Sequence, residues 1–315
     1  MARFNDNNRC ALCGKPKEEG RKIIVGLHGA VCSDCVALCS DILATGDQTA
    51  VRSDPLTEVF ERLGLGQFVP VPPGIGALGH LIALARTIGE QALGQVILAE
   101  GNVSAKDGDT FWIKASGAKM SEAGFDSFVQ VSTRKVLDIL NGDKPSDEEV
   151  RAQLNDARTG PDAGAVPSTE AFMHAWLLSL PGVEFVAHTH PVTTLGVLCG
   201  PQAREFAENR YFPDQIVLCG PTSPFVPYCA PGFELARAIR DACGDARPKT
   251  ILLQNHGLIA LGRTANEALA ACVMTEKAAQ VFVAAQDPRP LSPEVVAHIH
   301  NWSDEHYRQS KLWDE

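Results

Sequence analysis

A chain of 315 residues has room for one large domain or two unequal ones, and 45% hydrophobic with 21% charged residues is the balance of a globular protein with an ample core. The formal net charge of −10 gives a nucleic-acid partner no electrostatic support, and apolar runs such as residues 250–253 and 257–261 are far too short to span a bilayer. The opening MARFNDNNRC lacks the apolar core of a signal peptide, so the cytoplasm is the expected location.

The ten cysteines divide unevenly: five lie within residues 10–39, and Cys199, Cys219, Cys229, Cys243 and Cys272 are scattered singly in apolar surroundings. The scattered five are expected to be reduced, buried, small hydrophobes. In the cluster, Cys10 and Cys13 form one CxxC and Cys32 and Cys35 a second, with eighteen residues between Cys13 and Cys32. That is the spacing of a tetrahedral four-thiolate zinc site, each CxxC turn presenting two sulfurs to one ion. A segment of about forty residues buries too little apolar surface to fold unaided, so a structural Zn2+ is physically motivated. Cys39 falls one helical turn after Cys35 and reads as a packed helix residue, because a closed site needs only four ligands.

CALCGK, GLHGAVCSDCVALC and the DIL that follows resemble the zinc-binding domain at the N-terminus of ClpX unfoldases, over residues 8–45. The resemblance implies a small dimerising module that binds adaptors or substrates and has no chemistry of its own. No GxxxxGK[ST] follows it, so the ATPase part is absent. We assign residues 1–46 to this module. The proline-rich FVPVPPG ends a segment, residues 47–74, that reads as an interdomain linker.

From residue 75 onward helical and strand patterns alternate. GALGHLIALARTIGEQALG has helical apolar spacing, QVILAEGNVSA reads as strand and turn, and DTFWIKASG as a second strand. Residues 168–180 suit a helix and residues 183–188 a strand, and residues 216–226 contain another strand. Residues 233–243 suit a helix, residues 250–253 and 258–261 are strands, and residues 264–285 are a long helix. The product expected over residues 75–315 is an α/β domain with a mostly antiparallel sheet covered by helices.

Side chains two apart on a strand share a face, so His188 and His190 in FVAHTHPVTT aim at one point if the strand continues through Thr189. Two neutral imidazoles suit zinc or a similar ion, but a site needs at least a third ligand. His256 in LLQNHGLIALG and Glu170 in VPSTEAFMHAW are the candidates. Each alone has an ordinary reading: a single histidine as a satisfied polar residue, Glu170 with Ser168 as helix capping. EGNVSA, ASGAK and the Ser168–Thr169 helix start are turns rich in small hydroxyls and free N–H groups, which suit a phosphate or carboxylate.

GNVS, SG, PSTE, HTHP and QNHGLIALGRT followed by EA, in this order, resemble the class II aldolase/adducin family over about residues 75–290. The resemblance implies a three-layer class II aldolase-like domain and a metal site of Glu170, His188, His190 and His256, all four positions being filled. It places the metal as Zn2+, with Mn2+, Co2+ or Mg2+ as alternatives. It assigns substrate phosphate or carboxylate to Asn102, Ser116, Gly117, Ser168 and Thr169, and Lys119 adds a nearby cation. The implied chemistry is a metal-dependent lyase acting on a small sugar phosphate or hydroxy-keto compound through a metal-stabilised enediolate, with Glu170 as general acid/base. Epimerases, dehydratases and decarboxylases share that chemistry; epimerases commonly carry Asp at the position of Glu170. Catalytic relatives are commonly tetramers, so a homo-oligomer is expected. The competing reading is a non-catalytic oligomeric binding protein recruited through the zinc module, with no metal at the histidines. The family's leaving-group acid is a tyrosine, and none of Tyr211, Tyr228 and Tyr307 lies in a motif that aligns with it. Glu100 stands where sugar-phosphate aldolases often carry a small residue. The long segment 135–166 resembles the rhamnulose-phosphate-aldolase-like branch, and its charge-rich text reads as a solvated surface excursion.

Overall fold

The computed structural model describes residues 22–26, 29–33, 36, 76–159, 165–244 and 246–304, and the chain separates into two units, Met1–Pro70 and Val71–Glu315. In the first unit, β1 (Ile23–Gly26) and β2 (Gly29–Cys32) pair as an antiparallel hairpin, with Ile23 opposite Cys32 and Gly26 opposite Gly29. Cys32 is fully buried at the end of β2. Cys10, Cys13, Cys35 and Cys39 lie outside the described residues, as does the linker expected at residues 47–74.

The second unit is built on a seven-stranded sheet. Its strands are β3 (Asn102–Asp107), β4 (Thr110–Lys114), β5 (Phe128–Ser132), β6 (Phe185–Thr189), β7 (Phe225–Val226), β8 (Thr250–Leu253) and β9 (Gly257–Gly262). They lie in the order β5-β4-β3-β6-β9-β8-β7, and every pairing is antiparallel except the short β7 with β8. Gly108, at φ +61°, opens the two-residue turn of the β3–β4 hairpin, where a glycine with positive φ matches the twist of the strands.

Alternation along the strands sorts side chains to two apolar layers. Phe111, Ile113, Val131, Val186, Ile251, Ile259 and Leu261 face one layer, shared with α2 (Thr133–Asn141), α3 (Asp147–Asp156), α4 (Ala171–Ser179) and α8 (Phe233–Cys243). Val103, Ala105, Ala187, Leu252, Leu258 and Ala260 face the other, with α1 (Ala77–Ile88), α5 (Val192–Leu198), α6 (Ala203–Glu208) and α9 (Ala265–Ala284). The result is the expected three-layer arrangement. Each wholly buried Phe or Ile in these layers contributes roughly 1.5–3 kcal/mol. The remaining helices are α7 (Pro213–Cys219) and α10 (Pro293–His300).

The structure corrects four expectations. Residues 95–101 are not a strand: Leu98 at φ 56° and Gly101 at φ +67° turn the chain out of the extended region. Within residues 216–226 the strand shrinks to Phe225–Val226, because Pro213 at the first helical position starts α7 instead. Of the segment 135–166, the described residues 135–159 are not a solvated excursion. Val136 and Leu140 on α2 and Leu154 on α3 are buried in the first layer, and Ser146 caps α3 by accepting from Glu149 N. Of the scattered cysteines, Cys219, Cys243 and Cys272 are buried as expected, but Cys199 is exposed and Cys229 half-buried.

Candidate active site

β6 occupies the middle of the sheet, with Asn102 of β3 opposite His188 on one side and Ile259 of β9 on the other. The strand runs through Thr189, so His188 and His190 share the face that Val186 presents to α4. Pro191 then leaves the strand and caps α5. His256 arrives in the turn between β8 and β9. Two glycines make these approaches feasible. A Cβ on Gly101 would lie 2.6 Å from the His188 carbonyl oxygen, and one on Gly257 would lie 2.4 Å from the Thr189 carbonyl oxygen and 2.7 Å from His190 Cδ2.

The three imidazoles converge. His188 Nε2 stands 3.1 Å from His190 Nε2 and 3.3 Å from His256 Nε2, and the three rings offer ligand atoms within 4.8 Å of one another. Their outer nitrogens decide the tautomers. His188 Nδ1 lies 2.9 Å from the Leu258 carbonyl oxygen and His190 Nδ1 3.0 Å from Glu100 Oε2, and both acceptors require an N–H. Both Nε2 atoms therefore turn lone pairs towards each other, which neutral rings tolerate poorly unless a cation lies between them. Burial, reinforced by the neighbouring imidazoles, pulls His190 down to about 3 and His256 to about 4, and burial pulls His188 to about 4. All three are neutral at pH 7, the form that ligates.

Glu170, 8% exposed, supplies the fourth group. Its Oε2 lies 3.6 Å from His188 Nε2 and its Oε1 3.6 Å from His256 Nε2. Oε2 accepts from Asn102 Nδ2 at 2.6 Å, whereas Oε1 is buried without a partner among the described residues, as is His256 Nδ1. A tetrahedral ion about 2.0 Å from nitrogen ligands sets them roughly 3.3 Å apart, so these spacings, the facing lone pairs and the spare carboxylate oxygen fit a divalent metal.

The anion-site candidates divide. Ser168, half-buried, accepts from Asn102 Nδ2 (3.4 Å) and from Glu170 N (3.3 Å), which closes the turn ahead of α4; the N-cap itself is Glu170, with no side-chain cap. Asn102 thus joins Glu170 and Ser168. Thr169, Ser116 and Gly117 are exposed, Gly117 in the left-handed region at φ +80°. Ser116 N donates to Val166 O, which ties this turn to the strand of chain leading into residue 168. Lys119 sits apart from them in an exposed pair with Glu122 at 2.9 Å.

Four residues near the site had no place in the sequence reading. Lys114, 3% exposed, donates to the carbonyls of Ala99 and Ala118, bracing both turns, and burial depresses it while Glu170 offsets part of that. His174, fully buried on α4, lies between Ser104 Oγ at 2.6 Å and Asn102 Oδ1. Glu276 of α9 accepts from Thr193 N, Thr194 N and Thr194 Oγ, fixing the turn after His190. The only signal for His174 was its place one turn after Glu170; inward polar residues on otherwise apolar elements marked Ser104, Lys114 and Glu276.

The sequence profile of the Class II Aldolase and Adducin N-terminal domain family matches residues 79–283, and that of the ClpX C4-type zinc finger matches residues 8–45. Among solved structures, the fold is similar to the N-terminal class II aldolase domain of a conserved Thermoplasma acidophilum protein, with TM-score 0.56 and 23% identity, covering 69% of this chain and 98% of that one. It is likewise similar to YgbL from Escherichia coli, described as a candidate aldolase/epimerase/decarboxylase (TM-score 0.55, 20% identity, 70% and 96% covered). A third likeness is to L-fuculose 1-phosphate aldolase from Glaciozyma antarctica PI12 (TM-score 0.51, 17% identity, 76% and 94% covered). These are likenesses of fold; the profile match spans most of the chain, which belongs to the class II aldolase and adducin family.

Proposed function

We propose that the chain is a divalent-metal-dependent lyase that cleaves or forms a carbon–carbon bond in a small sugar phosphate or hydroxy-keto compound. The observation that carries the reading is the convergence of three neutral imidazoles, with Glu170 3.6 Å from two of them and its Oε1 uncommitted. His188, His190, His256 and Glu170 would hold the metal, Zn2+ in the first instance. Bound there, it supplies Lewis acidity towards a substrate carbonyl oxygen and its neighbouring hydroxyl. Glu170 Oε1 takes the proton lost by the hydroxyl that becomes the aldehyde and gives it to the carbon freed by cleavage, with the reverse in bond formation, while Asn102 keeps hold of Oε2. The exposed turn at Ser116–Gly117 and the Ser168–Thr169 turn receive the substrate's phosphate or carboxylate through N–H and hydroxyl donors. Keeping this anion at one end fixes the reacting bond beside Glu170.

A panel of ketose 1-phosphates and hydroxy-keto acids, assayed with Zn2+, Mn2+, Co2+ and Mg2+, tests the reading, with products scored for epimerisation, dehydration and decarboxylation as well as cleavage. Metal analysis is expected to give two ions per chain, one resistant to chelation at the four cysteines and one exchangeable at the histidines. Only the thiolate zinc would leave the non-catalytic binding protein as the better account. Full activity in a metal-loaded Glu170→Ala variant would remove the acid/base role. The same reading takes the protein as a cytoplasmic homo-oligomer, a tetramer, whose zinc module recruits a protein partner; sedimentation with and without residues 1–46 tests the assembly. No helix among the described residues is long and apolar enough to cross a membrane.

A further inference from the structure

We infer that Ser104 and His174 are positioning residues for Glu170, acting through Asn102 as a directed chain of hydrogen bonds. The inference rests on the metal site proposed above and concerns how its carboxylate is held. Ser104 and Asn102 lie on the face of β3 that looks towards α4, and His174 stands one helical turn after Glu170, fully buried. Burial pulls the His174 imidazole down to about 3 and so holds it neutral, with one N–H and one lone pair.

Only one arrangement satisfies every atom. If the proton is on Nε2, it is donated to Asn102 Oδ1, the Ser104 hydroxyl donates to Nδ1, and the Asn102 amide group turns its two N–H bonds towards Glu170 Oε2 at 2.6 Å and Ser168 Oγ at 3.4 Å. If the proton were on Nδ1, Nε2 would need the Asn102 amide N–H, and the amide oxygen would face the carboxylate oxygen at 2.6 Å with no hydrogen between them. The carboxylate thus fixes the orientation of the amide, the amide fixes the tautomer, and the Ser104 hydroxyl supports that tautomer by donating to Nδ1. The consequence reaches Glu170: Oε2 is clamped and Oε1 is left free, buried and turned towards His256 Nε2. Asn102 is spent on this clamp, since its oxygen and both its N–H bonds are committed within the protein.

The test uses the full chain and zinc in competition with a chelator, counting only the exchangeable ion that wild type binds and a His188→Ala, His190→Ala variant does not. His174→Leu, which removes the donor to Asn102, is expected to weaken that ion by about 10- to 100-fold. His174→Gln, which restores a donor, should recover most of the wild-type affinity at a similar melting temperature. The loss should not add to that of Glu170→Ala in the double variant, because both act through one carboxylate. Wild-type affinity in His174→Leu, or a loss of the same size with and without Glu170, overturns the inference. Should His174→Leu fail to fold, Ser104→Ala removes a single hydroxyl and must weaken zinc in the same Glu170-dependent way. A wild-type chain with no exchangeable zinc beyond that of the His188, His190 variant would sink the metal reading itself.

Discussion

Gly257→Ala is the sharpest test of how closely the site is built. The added Cβ would lie 2.4 Å from the Thr189 carbonyl oxygen and 2.7 Å from His190 Cδ2, against the 3.4 Å at which ordinary contact begins. Thr189 gives little, because its backbone lies in the centre of the sheet, paired with Leu258 of β9. The His190 ring, 21% exposed in its side chain, is the part that yields. Overpacking of this kind costs about 1–3 kcal/mol. A shift of several tenths of an ångström also takes Nε2 beyond the roughly 0.2 Å tolerance of a metal–ligand distance. We expect lower stability by urea denaturation together with at least about tenfold weaker exchangeable zinc, the size of a displaced ligand or its support. Gly196→Ala is the control: it lies in α5, just beyond His190, with nothing within 4 Å of its Cβ. There alanine should stabilise by about 0.5–1 kcal/mol through helix propensity and leave zinc untouched. A Gly257→Ala chain with wild-type stability and wild-type zinc affinity would refute the steric reasoning.

Three further outcomes are expected. Glu100→Ala, which removes the acceptor on His190 Nδ1, should weaken exchangeable zinc by about 10- to 100-fold, measured by chelator competition; unchanged affinity would show that His190 needs no outer anchor. Glu276→Ala leaves Thr193 N and Thr194 N without their acceptor and should cost about 1–3 kcal/mol, read as a lower urea midpoint; a neutral result would dismiss Glu276 as the brace of that turn. In metal-free protein, burial holds His188 and His256 at about 4 and His190 and His174 at about 3, all below the roughly 6.5 of an unfolded chain. The unfolded chain therefore binds protons first, so this stability is complete above about pH 6.5 and is lost as the pH falls towards the folded values. Urea midpoints that stay level or rise from pH 7 to pH 5 would contradict it.

Legibility in the sequence followed the physics of each element. Period-two alternation was enough to put His188 and His190 on one face, because β6 is regular and buried on both sides. The expected bounds of α8 and α9 agree with the structure almost to the residue, α8 carrying plain apolar spacing. His256 and Glu170 were different: both stand in turns at element ends, and only the family's motifs in order joined them to the pair. The buried supports left only faint signals. AFMHAWLLS is apolar almost throughout and reads as core, and the partners of His174, Ser104 and Asn102, come from β3, about seventy residues earlier in the chain. In DEEVRAQLND the charges hid the buried Leu154, so α3 looked like a surface segment.

The hydrogen-bond geometry holds two of the four groups of the site and leaves two adjustable. His188 and His190 are each anchored from behind, by the Leu258 carbonyl and by Glu100. His256 has no such anchor: its Nδ1 is buried without a partner among the described residues, and the preceding Asn255 sits in the left-handed region at φ 55°. Glu170 is likewise held at one oxygen and free at the other. Two anchored candidate ligands thus face two adjustable ones. That division suits a reaction in which the carboxylate must exchange a proton while the imidazoles stay in place, and it lets ions of different radius be accommodated by movement of His256 and Glu170 Oε1 alone. Comparing Zn2+ with the larger Mn2+, ring displacement should therefore concentrate on His256; equal movement of all three imidazoles would show that the anchors on His188 and His190 do not hold.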